Sequence, residues 1–439
     1  MKKMWMCVWM AYLAGTGSLL AQEKALKPVS LQEFIRMAVE QNPQVQAAKK
    51  EWEAALQMIS QAKSLPDPIL SYARFGQSIE TRLGPQRNKV SLSQKFPFFG
   101  KLSIKGEMAR KNALVLEEQY RGVVADIALQ VKQAYFSLFW VDQATRIAQE
   151  ERDVFRRLAR IAAKKYETGK ASQQDVLKAQ LEISKVTDRL LLLSQARKAA
   201  ASRLNALLNR SPETPIPMVP EVSFSPLELR VEDLYAMARK FRPELRKVRS
   251  VIQKNEQGVK LAKRNYYPDF QVMLDYIDIG AGSTTHPKDG RNAWMAAIGI
   301  TIPLWRKKLH AAEAEAVLRR NASEALLENV ENDTFASIHE LFHEVRTIQE
   351  QVDLYKYSLL PQAEQAFKAS EVGYLAGKVD FLNLLDSERM VLMVKNGYYK
   401  ALADLGKSSA KLERVVGTEL FPALSAGGYS DVLDEEVPQ

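Results

Sequence analysis

Two hydrophobic periodicities divide the chain. From Lys101 to Lys165 there is no proline, Gly106 and Gly122 are the only glycines, and apolar residues return at Leu116, Tyr120, Val123, Ile127, Val131, Ala134 and Leu138. Steps of three and four mark the stripe of a helix packed in a coiled-coil seam. At about 1.5 Å per residue this helix would run roughly 98 Å, further than a compact domain needs. Ile338, Leu341, Val345, Ile348, Val352, Tyr355 and Leu359 form a second such seam. Pro361 should kink that helix near its far end. Each long helix turns at a glycine, Gly169 or Gly377, into another long helix, which predicts two antiparallel helical hairpins. Ala199 to Ala201, with Ala311, Ala312, Ala314 and Ala316, suit closely packed inner faces.

Four short segments instead repeat every second residue. Trp294, Ala296, Ile298, Ile300 and Ile302 alternate with Ala293, Met295, Ala297, Gly299 and Thr301. Phe270, Val272, Leu274 and Tyr276 alternate with Gln271, Met273 and Asp275. Val90 and Leu92 alternate with Ser91 and Ser93, and Ile69 to Phe75 carries a fainter version. Turn residues join each pair at Arg82–Pro85 and Gly282–Gly290. The lengths suit the roughly 9–11 residues of a tilted membrane strand, although two soluble hairpins packed on helices would also fit.

The chain is also an internal duplication. Met37, Ala38 and Pro43 recur as Met237, Ala238 and Pro243. Ala62-Lys63 recurs as Ala262-Lys263, Pro66-Asp67 as Pro268-Asp269, and Phe96-Pro97-Phe98 as Ile302-Pro303-Leu304. Tyr166, Gly169 and Lys170 recur as Tyr374, Gly377 and Lys378. The common order and slowly growing offset indicate two copies of one unit: helix, helix, strand, strand, long helix, long helix. The copies occupy 30–208 and 231–417, and residues 209–230 link them, with five prolines that forbid a helix. A C-terminal tail follows at 418–439.

Residues 1–21 read as a secretory signal: Lys2 and Lys3, an apolar run from Met4 to Ala14, then Leu19-Leu20-Ala21 as a cleavage point. The single cysteine, Cys7, lies inside it, so disulfide and thiol chemistry are excluded from the mature chain, and no residue pattern suits lipid attachment there. Losing the two lysines lowers the net charge from +10 to +8, and no basic cluster interleaves with aromatics, so nucleic acid is not a partner. If the strands span a membrane, four cannot close a barrel and open edges are not tolerated in lipid. The chain must then share strands with copies of itself, and a conducting pore favours three or more.

At this point the residues resemble a known pattern. The twofold repeat, with Leu65–Pro68 entering the first strand, Gln94–Leu102 leaving the second, and Tyr166, Gly169, Lys170 and Ser172 before Asp175, is similar to the TolC-like outer-membrane efflux proteins. The second and third of these motifs look most like the heavy-metal branch. The resemblance implies a mainly α protein with a small membrane β-barrel, assembled as a homotrimer with a twelve-stranded barrel and a twelve-helix tunnel. It implies outer-membrane lipid around the barrel, a periplasmic adaptor and an inner-membrane pump as partners, no cofactor and no enzymatic activity. It also places a periplasmic gate at Asn383 and Asp386, with Asp175 as the first-copy counterpart of Asn383, and adaptor contacts at the tip turns, Gly169, Lys170, Gly377 and Lys378. Asp175 and Asp380 also suit plain helix capping. Three copies of Asp386 would form a carboxylate ring attractive to cations.

One motif points elsewhere. His339, Glu340 and His343 match H-E-x-x-H, in which two imidazoles four apart hold zinc and the glutamate serves as base. No third ligand is evident: His286 falls in a loop and His310 far up the same helix. A zinc protease is therefore a remote alternative, and a solvated helix face the ordinary reading. The cargo stays open between small solutes, such as metal cations or drugs, and secreted proteins of a type I pathway.

Overall fold

The computed structural model describes residues 30–421 except 223, 283, 284 and 286. Residues 1–21, read above as a secretory signal, His286 and the tail beyond Phe421 lie outside the described residues. Each copy opens with two short helices, α1 (Leu31–Gln41) and α2 (Pro43–Lys63), then α5 (Val231–Phe241) and α6 (Pro243–Arg264). Proline occupies the first helical position of α2 and of α6, where its missing N–H costs nothing. The long helices are α3 (Lys101–Glu167) with α4 (Gln173–Leu207), and α7 (Arg306–Leu354), α8 (Leu360–Leu375) and α9 (Phe381–Val416).

Pro361 does not end its helix. A π-helical turn, Tyr355–Leu359, joins α7 to α8, with Pro361 in the first turn of α8. The wider turn takes up the ring and the missing donor, so the chain stays helical through it. The single seam expected for α3 is also too narrow. Around Val124 to Phe139 the helix is buried on nearly every side, because α2, α4, α6 and α9 all pack on it. Its core includes Phe136, Leu138 and Phe139, and Trp52 of α2 stacks on Tyr120 at 5.8 Å. Ala311, Ala312 and Ala314 are exposed within the chain and Ala316 is half-buried, whereas Ala200 and Ala201 of α4 pack against the core.

Charges locked inside this core hold the remaining segments. Lys132 of α3 meets Glu413 of α9 at 2.6 Å, both buried, and Glu413 also accepts from the N–H groups of Leu420 and Phe421 at 3.0 and 3.1 Å. Segment 209–230 has neither helix nor strand among its described residues. Asp142 fixes it, accepting from Arg197 at 2.7 Å and from the Val219 N–H at 3.0 Å.

The strands β1 (Ile69–Thr81), β2 (Gly84–Phe96), β3 (Asp269–Ile279) and β4 (Ala293–Thr301) form one antiparallel sheet in sequence order. β1 runs past Phe75 to Thr81, and the turn contracts to Arg82 and Leu83, because Gly84 already belongs to β2. Gly84 has φ +123°, and a Cβ there would meet the Gly280 carbonyl oxygen at 2.0 Å, so only glycine fits.

Register decides what each face presents. Leu70 pairs with Leu92, Leu92 with Leu274 and Leu274 with Ala296; Tyr72, Val90, Tyr276 and Trp294 form the next row. Phe96, Phe270 and Ile300 form another. One face is therefore mostly apolar across all four strands, broken by Gln94 beside Val272 and by Arg74, Asn88 and Asp278 at one end, and Leu70, Leu274, Trp294, Ile298 and Ile300 stand exposed on it. The opposite face carries Ser91, Ser93, Gln271 and the ion pair Lys89–Asp275 at 2.8 Å. An apolar band outside and polar residues inside is the pattern of a membrane barrel. Among the described residues no helix is long and apolar enough to cross a membrane.

Candidate functional site at the helical tips

Both hairpins end at one extremity of the helical shaft in the same local structure. After α3, Gly169 takes φ +70°, and after α8, Gly377 takes φ +74°, the left-handed conformation that lets a helix stop and reverse. Their N–H groups donate to Tyr166 O at 2.9 Å and Tyr374 O at 3.1 Å. Lys170 and Lys378 follow, with N–H groups donating back to Lys165 O and Gly373 O. Ser172 then caps α4, accepting from the Asp175 N–H at 3.2 Å and donating its hydroxyl to the Asp175 carboxylate at 2.9 Å. Asp380 caps α9, accepting from the Asn383 N–H at 2.8 Å. Asp175 and Asn383 thus hold matching positions in the two hairpins.

The remaining residues separate by face. Asn383 and Asp386 are exposed on α9, and Asp175 is half-buried. Asp386 is paired with Arg389 at 3.2 Å, and Arg389 also reaches Glu182 of α4 at 2.6 Å. Further contacts tie the two copies together. Arg157 of α3 meets Glu371 of α8 at 3.3 Å. The Lys165 ammonium lies 4.3 Å from the Tyr374 ring centre and donates to the Tyr374 carbonyl. Tyr374 is buried against Phe381, with Phe155, Leu158, Ala162, Ala179 and Leu384 completing the local core.

Two carboxylates lie inside this core. Glu388 of α9 is 4% exposed and Glu151 of α3 is 3% exposed. Burial pushes Glu388 up to about 7, the negative charge of Glu151 adds to it, and Lys395 and Arg157 offset this only in part. Burial also raises Glu151, opposed in part by Arg189 at 2.7 Å. Glu182 ends below the ordinary range: burial raises it, but hydrogen bonds from Lys185 and Arg389 outweigh that. The motif reading passed over Arg389, Glu388 and Glu151, yet the phase of the two glutamates carries a signal. Phe381, Leu384, Leu385, Glu388 and Leu392 follow one helical stripe, and so do Ala148, Glu151, Phe155 and Leu158. A carboxylate within an apolar stripe predicts a buried titratable group.

The family model described as outer membrane efflux protein matches residues 34–210 and 234–418. The chain belongs to that family. It is an outer-membrane efflux channel of tripartite systems, with a long helical extension into the periplasm, and the family's members are channels and not enzymes. Members form trimeric channels that work with adaptor proteins and pumps. Among curated relatives, the chain is 25% identical over 405 residues to the cobalt-zinc-cadmium resistance protein CzcC of Cupriavidus metallidurans, covering 90% of this chain and 91% of that one. It is 20% identical over 426 residues to the alkaline protease secretion protein AprF of Pseudomonas aeruginosa, covering 93% and 88%. The outer membrane protein VceC of Vibrio cholerae superposes with a TM-score of 0.72 at 18% identity, over 89% of this chain and 96% of that one. CusC, described as forming a transmembrane channel, gives 0.74 at 17% identity, over 90% and 93%. The TolC-like fold expected from the repeat is therefore the fold of this outer membrane efflux protein.

Proposed function

We propose that this outer membrane efflux protein is the exit duct for metal cations, receiving them from a periplasmic adaptor and an inner-membrane pump. The likeness to CzcC along 90% of the chain carries this reading. The tip chemistry supports it: Asp386 is exposed on the α9 face that also carries Asn383, and three symmetric copies would set a ring of carboxylates around a narrow passage. Asp386, Asn383 and Asp175 are its gate residues. The tip turns, Gly169 with Lys170 and Gly377 with Lys378, are its adaptor contacts, projecting from the end of the shaft with open space around both glycines. The two repeats, 30–208 and 231–417, are its functional units, joined by 209–230.

The likeness to AprF favours a second reading, a duct for secreted protein. Deleting the gene in its own host separates them. Metal efflux requires that growth become sensitive to cobalt, zinc or cadmium while the secreted proteins stay unchanged. Unaltered metal tolerance with loss of a protein from the medium would establish the secretion reading.

A further inference from the structure

His339 and His343 belong to neither the tip nor the barrel, and within the single chain neither turns into the core. Ile338, Phe342 and Val345 turn the other face of α7 into the core, leaving both imidazoles exposed. Among the described residues neither ring has a hydrogen-bond partner, and histidine is a poorer helix former than alanine or leucine. The protease reading fails on the third ligand, since no group of three metal-ligating side chains occurs among the described residues. His310 is occupied elsewhere, within 3.1 Å of the Tyr266 hydroxyl.

The pair nevertheless has the i, i+4 spacing on one helix face that a two-imidazole chelate needs. One helical turn apart, the ring centres lie 4.6 Å from each other with the planes inclined by 60°. The Phe342 ring stands edge-on against His343 at 5.4 Å, which limits the swing of that imidazole. A cation bound at about 2.1 Å to one nitrogen of each ring would lie about 3.2 Å from each ring centre. The observed separation then subtends about 90° at the cation, the cis angle of octahedral or square-planar coordination. Imidazole suits nickel, copper, zinc and cobalt, whereas magnesium and calcium require oxygen ligands.

We propose that His339 and His343 form a bidentate site on the helical shaft for a late first-row divalent cation, with solvent completing the coordination. The site is independent of cargo: it concerns binding to the channel wall, and stands or falls apart from the growth phenotype above.

The test is isothermal titration of the full-length channel, purified in detergent without a polyhistidine tag, with Ni²⁺ as probe and Mg²⁺ as control. One Ni²⁺ per protomer and no Mg²⁺ are expected. His339→Ala and His343→Ala should each weaken Ni²⁺ at least about tenfold, because the second imidazole binds at high effective concentration once the first has bound. The double variant should lose the site, and His310→Ala should keep it. Both rings are exposed in the single chain and neither makes a hydrogen bond within it, so the variants should retain the circular dichroism and elution volume of the parent. Absence of Ni²⁺ binding by the parent, or unchanged binding by either single variant or the double variant, overturns the proposal.

Discussion

At the scale of single residues, burial decides how much a charge matters. Asp386 sits on an open helix face, and its pair with Arg389 is exposed, so that pair adds little stability. Asp386→Ala should therefore leave the trimer intact and act on the field of the passage. In planar bilayers we expect the variant to lose part of its preference for cations over anions, and unchanged selectivity would remove the carboxylate ring from the mechanism. Glu413 is the opposite case. Its carboxylate neutralises buried Lys132 at 2.6 Å and also receives the Leu420 and Phe421 N–H groups. Glu413→Ala strands a buried ammonium, which costs about 3–5 kcal/mol. The melting temperature of the purified channel should fall, and Lys132→Met combined with Glu413→Leu should recover much of the loss. A single variant as stable as the parent would contradict the role given to this pair.

At the scale of elements, the two hairpins are held by a mixed apolar and ionic seam, and Glu388 makes that seam sensitive to pH. Glu388 faces Glu151 and Arg157 on α3, Glu371 on α8 and Lys395 on its own helix, while Arg189 on α4 pairs with Glu151. Its folded pKa is raised from 4.5 to about 7, so the folded tip keeps a proton that the unfolded chain releases. Its contribution is therefore complete below pH 4.5 and falls as pH rises to about 7, a change on the order of 3 kcal/mol. Amide exchange in α9, corrected for intrinsic rates, should show more protection at pH 5 than at pH 7.5, and Glu388→Gln should flatten the difference. A slope unchanged in Glu388→Gln would assign the effect to another group. Much of this level was legible in the sequence. The order of elements followed from periodicity and duplication, and the tip turns from Gly169 and Gly377, because helix stops are local chemistry. The all-round burial of α3 was not legible, since it depends on four other helices arriving from distant parts of the chain. Nor was the pairing of Asp386 with Arg389, or the meeting of Glu388 with Glu151, because the first needs a rotamer and the second a contact between repeats. Pro361 marked the place where the α-helix is interrupted, but the sequence locates only a missing donor and does not reveal the π turn that precedes it.

For the whole molecule, the sheet requires an assembly. Its four strands end in two free edges, β1 and β4, and lipid satisfies neither. Three chains joined edge to edge give the twelve strands of a closed barrel, with the apolar rows outside and Lys89, Asp275 and Gln271 inside. The two faces should then answer differently to one substitution. Ile298 is 79% exposed in the single chain, pairs with Val272, and lies in the outward band. Arginine there meets hydrocarbon, at about 2–4 kcal/mol per copy near the midplane and less towards the rim. Symmetry places three copies in the same barrel, so the penalty recurs in every protomer. Gln271 lies on the other face, beside Gly299, where arginine meets the aqueous lumen. Ile298→Arg should lower the amount of trimer recovered from the outer-membrane fraction, and Gln271→Arg should leave recovery near that of the parent while altering conductance. Equal recovery of both variants would mean that the apolar band does not face lipid, and the case for strand sharing between chains would then fail at its first step.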